Sequence, residues 1–125
     1  MKENEQYKSL IESLRLLALD QKEQLEVLPG YTCATDEIIS TFCDAFLLLP
    51  QIIERDFISR QAIASIVRCF NWIDLLSRQE NLHNIEALDT HEYWSKARGF
   101  ARKALEDMHV KVEIPDLSYI KWIDD

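Results

Sequence analysis

Three histidines and three cysteines are the residues of this 125-residue chain that could most readily bind a metal or act as nucleophiles. His91-Glu92 begins an HExxH zinc motif, but Trp94 and Ser95 follow where the motif would be completed. A zinc site needs three or four ligands at a recognisable spacing, which His83, His91 and His109 do not supply. The sequence therefore predicts neither a metal nor a cofactor.

The cysteines are odd in number and form no CxxC pair. Cys43 and Cys69 lie among apolar residues, as structural thiols do, whereas Cys33 lies in a predicted loop and is the thiol to test for reactivity. A cysteine–histidine nucleophile requires only proximity in space, so the spacing leaves that alternative open. Free thiols, an N-terminus without a signal-peptide core and the lack of a ~20-residue apolar run predict a cytoplasmic protein.

The carboxylates of one apolar stretch, CATDEIISTFCDAFLLLP from Cys33 to Pro50, raise a different question. Thr35 is a predicted N-cap, and Asp36 and Glu37 in the first helical turn offset the helix dipole. Glu37 and Asp44 lie two turns apart on one face, about 10 Å along the axis, which is too far for a pair that shares a proton. No glycine-rich phosphate loop or serine nucleophile motif is present either. We therefore expect no catalytic residue and no enzyme.

On a helix, these residues form one polar strip on an otherwise apolar cylinder: Glu37, Ser40, Thr41, Asp44 and Leu48. Residues 31–58 carry five acids and one base, Arg55. One interpretation extends the strip to Glu54 and Asp56 and has it bind a basic partner. In another, Asp44 is an internal anchor paired with an arginine, for which the candidates are Arg68, Arg98 and Arg102. The plainest alternative is an ordinary exposed helix face.

The net charge of the chain indicates which classes of partner it can bind. Twenty-two acids against fourteen bases give a net charge of −8. Such a field repels nucleic acid and anionic membranes, and it accelerates encounter with a basic protein.

The apolar spacing, with only two glycines and three prolines, predicts a single all-α domain over residues 1–125. It is a bundle of four to five helices with an extended C-terminal arm at 110–125, in which VKVEI could form a short strand. The helix that carries the polar strip is apolar around most of its circumference, so we expect it to be central. The predicted helices span about 3–26, 36–48, 51–56, 60–79 and 91–108.

The segment LPGYTCATDEIISTFCDAFLLLPQII, with the later pattern W-x-x-x-R-x-x-A-x-x-A-L, resembles small all-α immunity proteins of bacterial polymorphic toxin systems, including contact-dependent growth inhibition. The resemblance covers roughly residues 28–108. It rests on Leu28, Pro29, Asp36, Glu37, Asp44, Pro50, Trp94, Arg98, Ala101, Ala104 and Leu105. It implies a cytoplasmic inhibitor, monomeric or dimeric, that blocks the active site or substrate path of a cognate toxin domain. Such toxins are often nucleases with a basic surface.

The predicted partner-binding residues combine these acids with aromatic anchors. They are Tyr31, Asp36, Glu37, Asp44, Glu54, Asp56, Tyr119 and Trp122. Two alternatives remain open. In the first, the chain is a helical interaction or homo-oligomeric scaffold domain that uses the apolar FLLLPQII. In the second, it is a small helical enzyme that needs Cys33, His83 or His91 to meet at a pocket.

Overall fold

A computed structural model describes residues 5–56 and 58–120. Over these residues the chain is helical without any strand, which confirms the predicted all-α class. There are more helices than the four to five predicted. They are α1 Glu5–Ala18, α2 Gln21–Val27, α3 Ala34–Phe46, α4 Leu49–Arg55, α5 Arg60–Ser77, α6 Ile85–Thr90 and α7 Glu92–Asp107, with a 3₁₀ turn at Glu80–Leu82.

The predicted helix over residues 3–26 is two helices, because the chain breaks after Ala18. Asp20 caps α2 by accepting a hydrogen bond from the Glu23 N–H at 3.0 Å. Distant side chains satisfy the carbonyls that the break exposes: Arg98 Nε donates to Leu19 O, and Arg102 Nε donates to Ala18 O, both at 3.0 Å. These contacts span about eighty residues, so no local pattern could have indicated them.

The predicted polar connector after α5 accounts for the other additional helix. Asn84 Oδ1 accepts from the Ala87 N–H at 2.8 Å and caps α6. The buried Trp94 donates from Nε1 to Leu82 O at 2.9 Å, which fixes the 3₁₀ turn against α7. Side-chain hydrogen bonds thus stabilise a 3₁₀ turn and a short helix in the connector, whereas the sequence predicts one short helical turn.

The core is centred on α7, which packs against both α5 and α1, while α1 also packs against α3. Four fully buried residues of the resemblance pattern lie on its inner face, namely Trp94, Ala101, Ala104 and Leu105. The expectation that the strip helix is central was wrong. That helix, α3, contacts α5 through the stacked rings of Phe46 and Phe70, with centroids 3.9 Å apart, but it leaves Leu47 72% exposed.

The bounds of the strip helix lie two residues earlier than predicted. It begins after Cys33, so Thr35 is inside the helix and makes no capping bond. Pro50 stands in the first turn of α4, where its missing N–H costs little. Ser59 caps α5 as predicted, accepting from the Ala62 N–H at 3.1 Å.

The last helix ends in a Schellman motif. The Val110 N–H donates to Leu105 O at 2.9 Å and the His109 N–H donates to Glu106 O at 3.0 Å. This geometry places His109 in the left-handed region, at φ 58°, a position that usually holds glycine. Beyond it, residues 110–120 form the C-terminal arm, an extended segment without strand pairing.

No helix among residues 5–56 and 58–120 combines the length and the apolar character that crossing a membrane requires.

Candidate functional site: an acidic groove between α3 and the C-terminal arm

Polar contacts hold the C-terminal arm against α1. Lys8 Nζ lies 3.0 Å from Asp116 Oδ2, and Glu12 Oε1 accepts from the Asp116 N–H at 2.9 Å. Further along, Arg15 Nε donates to Lys111 O at 3.0 Å, and Arg15 is itself paired with Glu12 at 3.0 Å. Hydrogen bonds from Ser118 and then from Lys8 hold the pKa of Asp116 well below its usual range. The arm therefore has a defined course across α1.

That course creates a groove of about 490 Å³ beside the polar strip of α3. The α3 side contributes the whole predicted strip and the arm contributes the opposite side, with further lining from α1 and the loop before α3. The lining residues are Ser9, Thr32, Glu37, Ser40, Thr41, Asp44, Ala45, Leu48, Tyr119 and Ile120. We call this the α3–arm groove.

The groove is acidic, and its carboxylates have no counter-charge within the described part of the chain. Glu37 is half-buried and Asp44 exposed, and neither carboxylate forms a hydrogen bond or ion pair with another described residue. Among the described residues that line the groove there is no lysine or arginine. Burial, and then the negative charge of Asp44, raise the pKa of the neighbouring Cys43 thiol.

Asp44 is not the internal anchor that one interpretation required. Arg98 and Arg102 donate to backbone carbonyls at the end of α1, and Arg68 is exposed on α5. Asp44 is instead a solvent-facing acid on the rim of the groove. Its chain supplies it with no arginine among the described residues.

Tyr119 gives the groove an aromatic side. The residue is 41% exposed, and burial of its hydroxyl together with the charges of Glu12 and Asp116 raises its pKa to about 12. The phenol therefore stays neutral at physiological pH, so Tyr119 presents a ring and a hydroxyl without adding charge.

The other predicted partner-binding residues that the structure describes do not line this groove. Asp36 Oδ1 lies 3.6 Å from His83 Nδ1, towards the 3₁₀ turn. Glu54 is exposed on α4, and Tyr31, 54% exposed, precedes the groove residue Thr32 in sequence. Trp122 lies outside the described residues.

Asp56 lies in a different groove, of about 570 Å³, together with Tyr7, Arg15 and His109. The predicted extension of the strip through Glu54 to Asp56 is therefore not one acidic surface, because Asp56 shares its surroundings with basic side chains. The acidic site ends on α3.

The predicted partner-binding set contains only three of the groove residues, namely Glu37, Asp44 and Tyr119. Helical spacing places three more in the polar strip without assigning them to the site: Ser40, Thr41 and Leu48. The remaining four, Ser9, Thr32, Ala45 and Ile120, were not predicted. No local pattern could have indicated Ser9 or Ile120, because the course of the arm over α1 depends on contacts between residues about a hundred positions apart.

The candidate nucleophile and bases do not meet in the described structure. Cys33 lines a cavity of about 190 Å³ that contains no histidine. His83 Nε2 donates to Leu76 O at 3.0 Å, His91 Nδ1 accepts from the Tyr93 N–H at 3.1 Å as an N-cap, and His109 lies at the end of α7. Within the described residues, no three histidine, cysteine or acidic side chains form a group that could hold a metal ion.

Comparison of the chain with protein-family models, curated proteins and solved structures found no match.

Proposed function

We propose that this protein is an immunity protein that binds and neutralises a cognate bacterial toxin domain, a nuclease, in the cytoplasm. The observation that carries the proposal is the α3–arm groove, an open acidic surface whose two carboxylates have no partner in the described chain. Nuclease domains are basic where they contact phosphate, so an acidic surface that covers this region would block the substrate path.

The charge of the whole chain supports the same partner. A net charge of −8 attracts a basic domain and steers its approach, while unpaired groove carboxylates supply local complementarity. Tyr119 beside them is the kind of rigid aromatic residue that anchors protein interfaces.

The test is co-expression with the product of the neighbouring gene, scored by co-purification and by rescue of growth. The wild-type chain should co-purify with that product and rescue growth. Glu37→Lys with Asp44→Lys should abolish both effects while the circular dichroism spectrum stays helical.

A matched control is Glu26→Lys with Glu86→Lys. Both are exposed acids outside the groove. Glu26 lies in the last turn of its helix, as Asp44 does, and Glu86 lies in the first turn, as Glu37 does. Binding that survives the groove changes, or is lost equally in the control, contradicts the proposal.

A second candidate function is a homo-oligomeric scaffold, which the exposure of Leu47 and Ile53 at the α3–α4 corner favours. Only part of the apolar FLLLPQII faces outward, because Leu49 and Ile52 are buried in the core. Light scattering on the purified chain decides this: a dimer that Leu47→Glu converts to a monomer supports the scaffold, and a monomeric wild type removes it.

A further inference from the structure

The α3–arm groove contains a mostly buried polar side chain that forms no hydrogen bond with another described residue. Thr41 is only 9% exposed, yet its hydroxyl forms no hydrogen bond with any described residue. Threonine hydroxyls within helices commonly bond the carbonyl one turn back, as Thr90 does with Glu86 O at 2.9 Å. A hydroxyl held at the surface of a groove without a protein partner indicates a site for a ligand's polar group.

The chemistry around Thr41 favours a cation. Glu37 and Asp44 offer carboxylate oxygens that can only accept hydrogen bonds, and the Thr41 hydroxyl can accept one as well. The described lining of the groove therefore has a surplus of acceptors and no fixed positive charge, and both features favour a cation over an anion as the ligand.

A metal ion fits this arrangement poorly. Glu37 and Asp44 start about 10 Å apart along the axis of α3, which is too far for both to come within the ~2.0–2.6 Å that a metal ion requires of its ligands. A guanidinium carries five donors on different edges of one planar head, and each can reach an acceptor ~2.9 Å away, so it can bridge acceptors that one metal ion cannot. The volume of about 490 Å³ lies within the range of roughly 300–1,000 Å³ that is typical of small-molecule pockets, so the groove is large enough for a long side chain.

We propose that the groove receives the guanidinium side chain of an arginine from a basic segment of the partner, with Glu37, Asp44 and Thr41 as acceptors and the ring of Tyr119 beside it. This deepens the proposed function and rests on it for the identity of the partner. Arginine is favoured over lysine because its planar head carries five donors, stacks on aromatic rings and is more weakly hydrated.

The experiment titrates the ¹⁵N-labelled full chain with N-acetyl-arginine amide and follows backbone amide shifts by NMR. We expect shifts confined to residues 37–48 and 119–120. The lysine analogue should bind several-fold more weakly, and the neutral citrulline analogue should not bind. Shifts spread evenly over all acidic surfaces, or equal binding of the lysine or citrulline analogue, overturn the proposal.

Two sets of variants test the acceptors. Glu37→Gln with Asp44→Asn should weaken arginine binding at least ~10-fold, the effect of losing a charge-assisted hydrogen bond, whereas Glu26→Gln with Glu86→Gln removes the same charge and should leave it unchanged. Thr41→Val should weaken binding several-fold and Thr41→Ser should restore it. Unchanged affinity in Thr41→Val overturns the role of the hydroxyl.

The outcome separates this inference from the proposed function. If the arginine probe does not bind but co-purification with the toxin domain still depends on Glu37 and Asp44, the arginine site is wrong and the immunity function stands. If the probe binds as expected and no toxin is neutralised, the arginine site stands and the immunity function falls.

Discussion

Arg98 joins three segments of the chain through one guanidinium. Its Nε donates to Leu19 O at 3.0 Å, and its Nη2 donates to Leu88 O at 2.5 Å and to Gln24 Oε1 at 3.3 Å. Gln24 is fully buried and donates to Leu16 O and Leu17 O at the end of α1. The arginine of the resemblance pattern thus has a structural role: it completes the hydrogen bonds at the α1–α2 break.

Replacing Arg98 should therefore cost stability. Arg98→Met keeps the aliphatic stem but leaves three buried or half-buried acceptors without a donor. We expect a loss of about 3 kcal/mol in the free energy of unfolding, measured by urea denaturation. Arg68→Met, at an exposed site of α5, is the control and should change stability by less than ~0.5 kcal/mol. Equal losses in the two variants would contradict the structural role.

Asp107 makes stability depend on pH. Its buried carboxylate accepts hydrogen bonds from Ser65 and, at 3.2 Å each, from Gln61 Nε2 and Lys103 Nζ, and the Ser65 and Lys103 bonds lower its pKa below the ordinary 3.8. Because the pKa of Asp107 is lower in the folded state than in the unfolded state, its ionised carboxylate stabilises the fold at pH values above the unfolded-state pKa. This contribution is lost as the pH falls below about 4.

Asp107→Asn should consequently be less stable than the wild type at pH 7, with a difference that shrinks as the pH is lowered from about 4 to 2. Urea unfolding curves at a series of pH values measure this. A stability difference that is constant from pH 7 to pH 2 would show that the ionised form of Asp107 is not what stabilises the fold.

At the scale of elements, local pattern predicted most helices and non-local contact decided the rest. The apolar stripe and the Ser59 cap predicted the first residue of α5 correctly and its last residue nearly so. The pattern around Trp94 predicted both ends of α7 to within one residue. The pattern before Pro29 could not reveal the break after Ala18. Asp20 suits both an exposed helix position and an N-cap, and Arg98 and Arg102, which favour the break, lie in α7.

The backbone at the end of α7 is strained at His109, and a substitution there can relieve the strain. His109 adopts φ 58°, where a side chain costs roughly 1–2 kcal/mol and glycine costs nothing sterically. His109→Gly should raise the free energy of unfolding by ~1 kcal/mol after the greater entropy of glycine in the unfolded chain is included. Glu106→Gly, in the helix itself, should lower it by about the same amount. Thermal unfolding of both variants measures the two changes in stability, which should have opposite signs. Destabilisation by His109→Gly would contradict the Schellman geometry.

Glu12 connects two of the polar contacts that hold the C-terminal arm on α1. This 5% exposed carboxylate accepts the Asp116 N–H and pairs with Arg15, which in turn bonds Lys111 O. Glu12→Ala should release the arm locally, because the half-buried Asp116 N–H loses its acceptor and Arg15 loses one of its acceptors. Hydrogen exchange at the Asp116 amide should accelerate about 10–100-fold while the amides of α7 stay protected. Unchanged protection at Asp116 would mean that other contacts hold the arm.

At the scale of the whole molecule, the groove shows what sequence could predict of the site. The spacing of Glu37 and Asp44 predicted a polar strip that faces one way, and the structure places both in one groove. The opposite side, Tyr119, was predicted as a partner-binding residue only from its type. Its position beside α3 depends on Lys8, Glu12 and Arg15, whose contacts with the arm bridge most of the chain.

The net charge of −8 predicts how the proposed binding to a basic toxin domain depends on salt. Long-range attraction acts on encounter and is screened within about 10 Å at 0.1 M ionic strength, so the association rate constant should fall at least ~10-fold between low salt and 0.5 M. Contacts inside the groove act on dissociation instead. In stopped-flow or surface-plasmon measurements, Glu26→Gln with Glu86→Gln should reduce association slightly and leave dissociation unchanged, whereas Glu37→Gln with Asp44→Asn should accelerate dissociation. An association rate that is indifferent to salt, or equal dissociation rates in the two double variants, would mean that the acidic groove does not contact the partner.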